Sequence, residues 1–198
     1  MGTNSLSLCI ILLTCFRVII ADNYVFSYSI FGIDTAKWKD IKKDGKIIHK
    51  GWELDYTKFR KYLADKFRVT KAFIFIGYVK DNEKLYRRLK TAGYELVFKP
   101  TVKDCNGKIK GNIDAELVLH TAAIEFNNYD KAIIVSGDGD FHCLLEFLEQ
   151  KDKLESLIIP NQRRMSSLLK KFELYIMFII REKGKLAATE HKKKELKR

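Results

Sequence analysis

KAIIVSGDGDFHCLLEFLEQ, Lys131–Gln150, is the stretch on which the reading of the fold turns. An apolar run, Ala132–Val135, stops at a turn of serine, glycine and two aspartates, and apolar residues then recur at helical spacing as Phe141, Leu144, Leu145 and Leu148. A short apolar run bounded by turn residues reads as a strand, Lys131–Val135, and recurrence at three and four reads as a helix, Phe141–Gln150. Asp138 and Asp140 stand at the junction. Like charges one residue apart repel, so the pair calls for a shared proton or a cation between them. Ligands of open parallel sheets bind beyond the carboxyl ends of the strands, which is where this turn falls.

The same alternation continues outward. Asn23–Ile33 reads as a strand closed by Asp34, and Asp55 as the N-cap of a helix carrying Phe59, Tyr62, Leu63 and Phe67. Ala72–Tyr78 is apolar almost throughout, as expected of a strand covered on both faces. A helix over Asn82–Ala92 is stopped by Gly93, followed by a strand at Glu95–Phe98, a lysine-rich loop and a helix over Ile113–Phe126. A strand at Leu154–Ile159 and a helix from about Ser166 complete the pattern. Strand and helix in regular alternation imply crossovers and an α/β fold: a Rossmann-like, doubly wound, mainly parallel sheet flanked by helices. One domain over 23–180 is expected, between an apolar extension, 1–22, and a basic tail, 181–198.

The formal net charge is +12, of which five units fall in Arg181–Arg198 and seven on the rest. A basic body favours a polyanionic partner, nucleic acid or an anionic membrane surface. Cys9, Cys15, Cys105 and Cys143 form no CxxC pair and have no histidine at zinc-finger spacing, which argues against a zinc finger and against a disulfide scaffold. A cytoplasmic location is the simpler expectation. Leu6–Ala21 is apolar enough to resemble the core of a signal peptide, but no positive charge precedes it and Arg17 interrupts it. It is also short for a membrane span. Membrane contact or export through this segment stays open at this point.

Three places put acids beyond strand ends: Asp34, the Asp138–Asp140 pair, and Asp114 in the first turn of the helix after Lys110-Gly-Asn112. Carboxylates gathered at one sheet edge suit a hard cation, Mg²⁺ or Mn²⁺, which takes oxygen ligands. An EF-hand does not fit, because the sixth position counted from Asp138 is Cys143 rather than glycine. A haloacid-type phosphatase loop fails as well, since Asp34 is followed by Thr35-Ala-Lys37 and not by a DxDxT frame.

KGNIDAEL (Lys110–Leu117) and SGDGDF (Ser136–Phe141), with NYDKAIIV (Asn128–Val135) leading into the latter, resemble the NYN domain, a branch of the PIN-like ribonuclease superfamily. The similarity extends over FRKYL (Phe59–Leu63), KAFIFIGY (Lys71–Tyr78), GYELVFKPT (Gly93–Thr101) and IPNQRR (Ile159–Arg164), and so covers about Ile30–Phe172. The resemblance implies a PIN-like sheet, a Mg²⁺ or Mn²⁺ site built from acids, and endonucleolytic cleavage of RNA, with no small organic cofactor. The family's acids map onto Asp34, Asp114, Asp138 and Asp140, and its site hydroxyl onto Ser136. Lys37 stands where the family's Asp-x-x-Asn pattern places asparagine, and an ammonium there would compete with the metal.

Lys99, Lys103, Lys108, Lys110, Arg163 and Arg164 are expected in loops on the same edge, placed to hold phosphates. Tyr78 and Phe98, at strand ends, are expected to pack inward rather than to stack on bases, and His142 to face solvent or pack along its helix rather than to act as a general acid. Two other functions compete with the nuclease reading. One is an RNA-binding module that has lost catalysis. The other is a Toprim-like DNA-acting enzyme, which also carries a DxD pair but needs a glutamate after its first strand.

Overall fold

The computed structural model describes residues 8–11, 17–21, 37–38, 41–43, 46–49, 52–78, 80–99, 102–103, 109–110, 114–162 and 165–189. In chain order, strands β1 (Leu8–Ile11), β2 (Arg17–Ala21), β3 (Lys37–Trp38), β4 (Ile41–Lys43), β5 (Lys46–His49) and β6 (Trp52–Glu53) precede helix α1 (Tyr56–Phe67). Then follow β7 (Phe73–Gly77), α2 (Glu83–Thr91), β8 (Glu95–Lys99), β9 (Val102–Lys103), β10 (Ile109–Lys110) and α3 (Asp114–Leu119). The chain continues through β11 (Lys131–Val135), α4 (His142–Gln150), β12 (Leu154–Ile159), β13 (Ile176–Phe178) and α5 (Lys183–Leu186).

Two parallel crossover units form the frame. β7 and β8 pair in parallel through α2, and β11 and β12 through α4, with β13 added in parallel beside β12. Successive strand residues point to opposite faces. Ile74, Ile76, Ile133, Val135 and Ile158 accordingly pack with α1 and α2, through Phe59, Leu63, Leu85 and Leu89. Phe73, Phe75, Ile134, Leu157 and Ile159 pack with α3 and α4, through Leu117, Leu144, Leu145 and Leu148. The three-stranded sheet β8-β7-β1 and the four-stranded sheet β2-β11-β12-β13 lie edge to edge, and helices cover both faces of the layer they form, the expected α/β arrangement.

Local chemistry sets the helix boundaries. The Asp55 carboxylate accepts hydrogen bonds from the backbone N–H of Thr57 (3.0 Å) and Lys58 (3.2 Å), which satisfies two donors at the start of α1. Gly93 ends the α2 segment at φ +92°, a left-handed conformation that glycine adopts without Cβ strain. The helix expected over 113–126 is α-helical only to Leu119 and then widens into a π turn at His120–Ile124. There the Thr121 hydroxyl donates back to the Leu117 carbonyl (2.8 Å), a bond that competes with regular helix geometry. Ser167–Tyr175, expected as a helix from about Ser166, is 3₁₀-helical with a kink at Phe172 (φ −96°, ψ 27°).

Two differences concern the ends of the domain. The segment 1–22, expected as an extension, supplies β1, antiparallel to β7, and β2, parallel to β11 from Lys131↔Arg17 to Val135↔Ala21. The inner edges of β7 and β11 would otherwise leave backbone donors and acceptors unpaired in the core, and a β-branched run such as Val18-Ile-Ile20 suits that role. The residues 181–189 are likewise tied to the domain. Leu186 is fully buried, Asp55 N donates to Leu186 O (2.9 Å), and Ala188 N donates to Glu53 O (2.8 Å). Among the described residues no helix is long and apolar enough to cross a membrane.

Strand direction fixes which loops share an edge. β1 and β2 lie side by side, and only the residues 12–16 separate them, enough for a reversal and too few for a parallel crossover. β2 therefore opposes β1, and β7, itself opposed to β1, runs in the same direction as β2 and β11. The carboxyl ends of β7, β8, β11 and β12 all meet one edge.

Candidate functional site

At that edge β11 delivers Ser136, which is 1% exposed, and the chain turns. The Ser136 hydroxyl accepts the backbone N–H of Asp138 (2.9 Å), and the Asp138 carboxylate accepts the N–H of Asp140 (3.0 Å). These two bonds shape the turn: they draw Asp138 and Asp140 to the surface, half-buried and exposed respectively, while Phe141 drops into the core at 1% exposure. A 3₁₀ turn, Gly139–Phe141, then leads directly into α4. α3, whose first residue is Asp114, packs against this turn, so three of the four expected acids belong to elements that meet at one place.

A second segment backs the turn. Ser166 N donates to Gly137 O (2.9 Å), and a Cβ built on Gly139 would lie 2.4 Å from Ser166 Oγ and 3.1 Å from Leu168 Cδ1. Glycine is required here by close approach. Gly139→Ala is expected to destabilise the domain by roughly 1–3 kcal/mol through overpacking, with part recovered when Ser166→Gly is added. A denaturant double-mutant cycle checks this, and a coupling indistinguishable from zero would show that the two sites do not touch.

The charged groups behind the site are paired. The Lys171 ammonium donates to Glu146 Oε1 (2.5 Å) and holds the Glu146 carboxyl below its usual range, while that carboxylate raises Lys171. His142 lies 3.6 Å from Glu146 through Nδ1 and stacks edge-on against Phe172 at 5.4 Å, along its helix as expected.

The remaining expected site residues distribute unevenly. Asp34, Lys108, Arg163 and Arg164 lie outside the described residues, as does the strand expected at Asn23–Ile33. Lys99 ends β8 opposite Gly77, at the shared edge, and Lys103 and Lys110 belong to the antiparallel β9–β10 pair that follows it in the chain. Ser136 sits beneath the acids and positions their turn. Lys37 stands in register with Glu53 in the β3–β6 pair. The place beside β11 is taken by β2, and the residue that follows Ala21 in the chain is Asp22. Sequence reading missed the exposure of Tyr78 (44%) and Phe98 (37%), both expected to pack inward.

The NYN domain family matches residues 35–178, which include Asp114, Ser136, Asp138 and Asp140. The chain belongs to the NYN domain family. Its sheet and helices are those of a PIN-like nuclease fold. The match begins at Thr35, so Asp34 and β2 fall outside it. Among solved structures, the crystal structure of a protein of unknown function from Vibrio parahaemolyticus is similar, with a TM-score of 0.52 and 26% identity over 65% of this chain and 80% of the other. No curated protein matches the NYN chain.

Among the described residues no three acid, histidine or cysteine side chains converge on one point. That is compatible with Mg²⁺, which keeps several waters and is commonly held by one or two carboxylates together with substrate phosphates. Two surface carboxylates on a hydrogen-bonded turn are an all-oxygen donor set of this kind, and their chemistry fits such an ion.

Proposed function

We propose that this NYN domain is a metal-dependent endoribonuclease. The observation that carries the reading is the Ser136–Phe141 turn, which holds Asp138 and Asp140 at the surface of the carboxyl edge, beside the helix that begins with Asp114. Asp138 and Asp140 would hold Mg²⁺ or Mn²⁺, with Asp114 on the neighbouring helix adding negative charge or a water-mediated contact. When bound, the ion supplies an activated water and neutralises charge on the scissile phosphate. The protein contributes position: Ser136 and Ser166 fix the turn, and the basic residues after β8 hold the RNA backbone. No serine or histidine nucleophile is needed.

A further acid is expected after the strand that neighbours β11. The sequence pattern points to Asp34 for that role, but the register Val135↔Ala21 makes Asp22 a direct competitor. If Asp22 serves, Asp22→Asn lowers cleavage while Asp34→Asn leaves it unchanged; the opposite pattern returns the role to Asp34.

The RNA-binding reading without catalysis draws on one observation, the start of the family match after Asp34, which leaves this acid outside the matched residues. Metal binding separates the readings. Mn²⁺ is expected to raise the melting temperature of the wild type and not that of an Asp138→Asn/Asp140→Asn double variant, because an ion that binds only the folded state stabilises it. A wild-type melting temperature insensitive to millimolar Mn²⁺, with RNA still bound, would favour the binding module.

A further inference from the structure

We infer that Tyr78 and Phe98 form a stacking platform for unpaired bases of single-stranded RNA, an inference that rests on the reading of this edge as an RNA site. Tyr78 follows β7 and Phe98 lies one residue before the end of β8, so both rings stand at the edge that carries Asp138 and Asp140. They meet edge to face at 5.6 Å. Beneath them, buried Tyr86 touches Phe98 at 4.8 Å and Tyr78 at 5.9 Å, and its hydroxyl donates to Gly77 O (3.3 Å). The pair is therefore propped from below, yet Tyr78 and Phe98 remain 44% and 37% exposed. Adjacent large aromatics left in water at a functional edge mark a binding surface.

Charge selects the occupant. Lys90 Nζ lies 6.0 Å from the Phe98 ring, and α2 exposes Lys84, Arg87 and Arg88 as well, against one acid, Glu83. Aromatic faces beside a cationic helix suit a polyanion that carries π-systems, the combination used for single-stranded nucleic acid. β1 and β2 intervene between β7 and β11, so at about 4.8 Å per strand Tyr78 lies about 14 Å and Phe98, one strand further, about 19 Å from the acids. That is the rise of about four to six stacked nucleotides.

The test measures binding of a labelled single-stranded RNA dodecamer in EDTA, so that affinity is read without cleavage, alongside the same backbone bearing abasic sites. Tyr78→Leu/Phe98→Leu is expected to weaken base-bearing RNA roughly tenfold or more and to leave abasic RNA unchanged. Tyr78→Phe keeps wild-type affinity. If the double variant does not fold, Tyr78→Leu alone, at the more exposed ring, shows the same direction. The inference is overturned if base-bearing RNA binds as before, if both RNAs weaken equally, if wild type prefers neither RNA, or if the double variant loses self-association without losing RNA affinity. Loss of affinity in the variants with no Mn²⁺-dependent cleavage by wild type would sink the nuclease reading and leave the platform standing. Mn²⁺-dependent cleavage with unchanged affinity does the reverse.

Discussion

Asp138→Asn is expected to lower the rate of RNA cleavage by at least about 10²–10³-fold while leaving the melting temperature nearly unchanged, since charge aimed at a transition state contributes on that scale. The two effects separate for a structural reason. Asparagine retains a side-chain oxygen that can accept the Asp140 N–H, and the bond from Asp138 N to Ser136 Oγ involves the backbone alone. The turn therefore persists. What disappears is the negative charge that a divalent cation requires. Turnover on a generic single-stranded RNA, paired with a thermal melt of both proteins, checks the prediction. A variant that cleaves at the wild-type rate would mean that Asp138 serves only to cap the turn.

Phe141→Ala carries the largest expected cost in stability. Phe141 is 1% exposed and shares its cluster with Leu144, Leu145, Leu148 and Phe172, directly beneath the acids. Removing a buried phenyl ring leaves a cavity and costs about 3–5 kcal/mol, which for a domain of this length corresponds to a fall in melting temperature of about 10 °C. Because the same residue ends the 3₁₀ turn that begins at Gly139, cleavage should fall as well. Urea denaturation with an unchanged m-value and a lowered midpoint is the expected record. A loss below 1 kcal/mol would show that the turn is not anchored through this ring.

The parts of the fold that were legible in the sequence are those whose causes are local. Lys131–Val135 and Leu154–Ile159 are strands over the residues expected, and Asp55 caps the helix whose buried face is Tyr56, Phe59, Leu63 and Phe67. In each case the periodicity, the cap and the turn residues lie within a dozen positions of one another. The parts that were not legible depend on distant partners. Nothing within Leu6–Ala21 distinguishes two short strands from a signal-like run, because their role is set by open edges on β7 and β11, more than fifty residues away. Leu186 lies in a lysine-rich stretch that reads as a tail, and only its pairing near Leu54 and Asp55 draws it into the core.

The candidate site shows the same division. SGDGDF announces its acids, and the turn geometry follows from side chains two residues apart. The clash that makes Gly139 obligatory comes from Ser166, and no local pattern signals it. Tyr78 and Phe98 follow apolar strand residues and so read as core. Their exposure arises because β7 and β8 both end there, with Tyr86 filling the space below.

The central claim, that the Ser136–Phe141 turn is a metal-dependent RNA-cleaving centre, is tested most directly by incubating a single-stranded RNA labelled at both ends with wild type and with Asp138→Asn, in Mn²⁺ and in EDTA. Internal cleavage by wild type in Mn²⁺, absent in EDTA and absent from the folded variant, is the result predicted. Cleavage that survives EDTA or Asp138→Asn, or no cleavage by folded wild type in Mn²⁺, would contradict it.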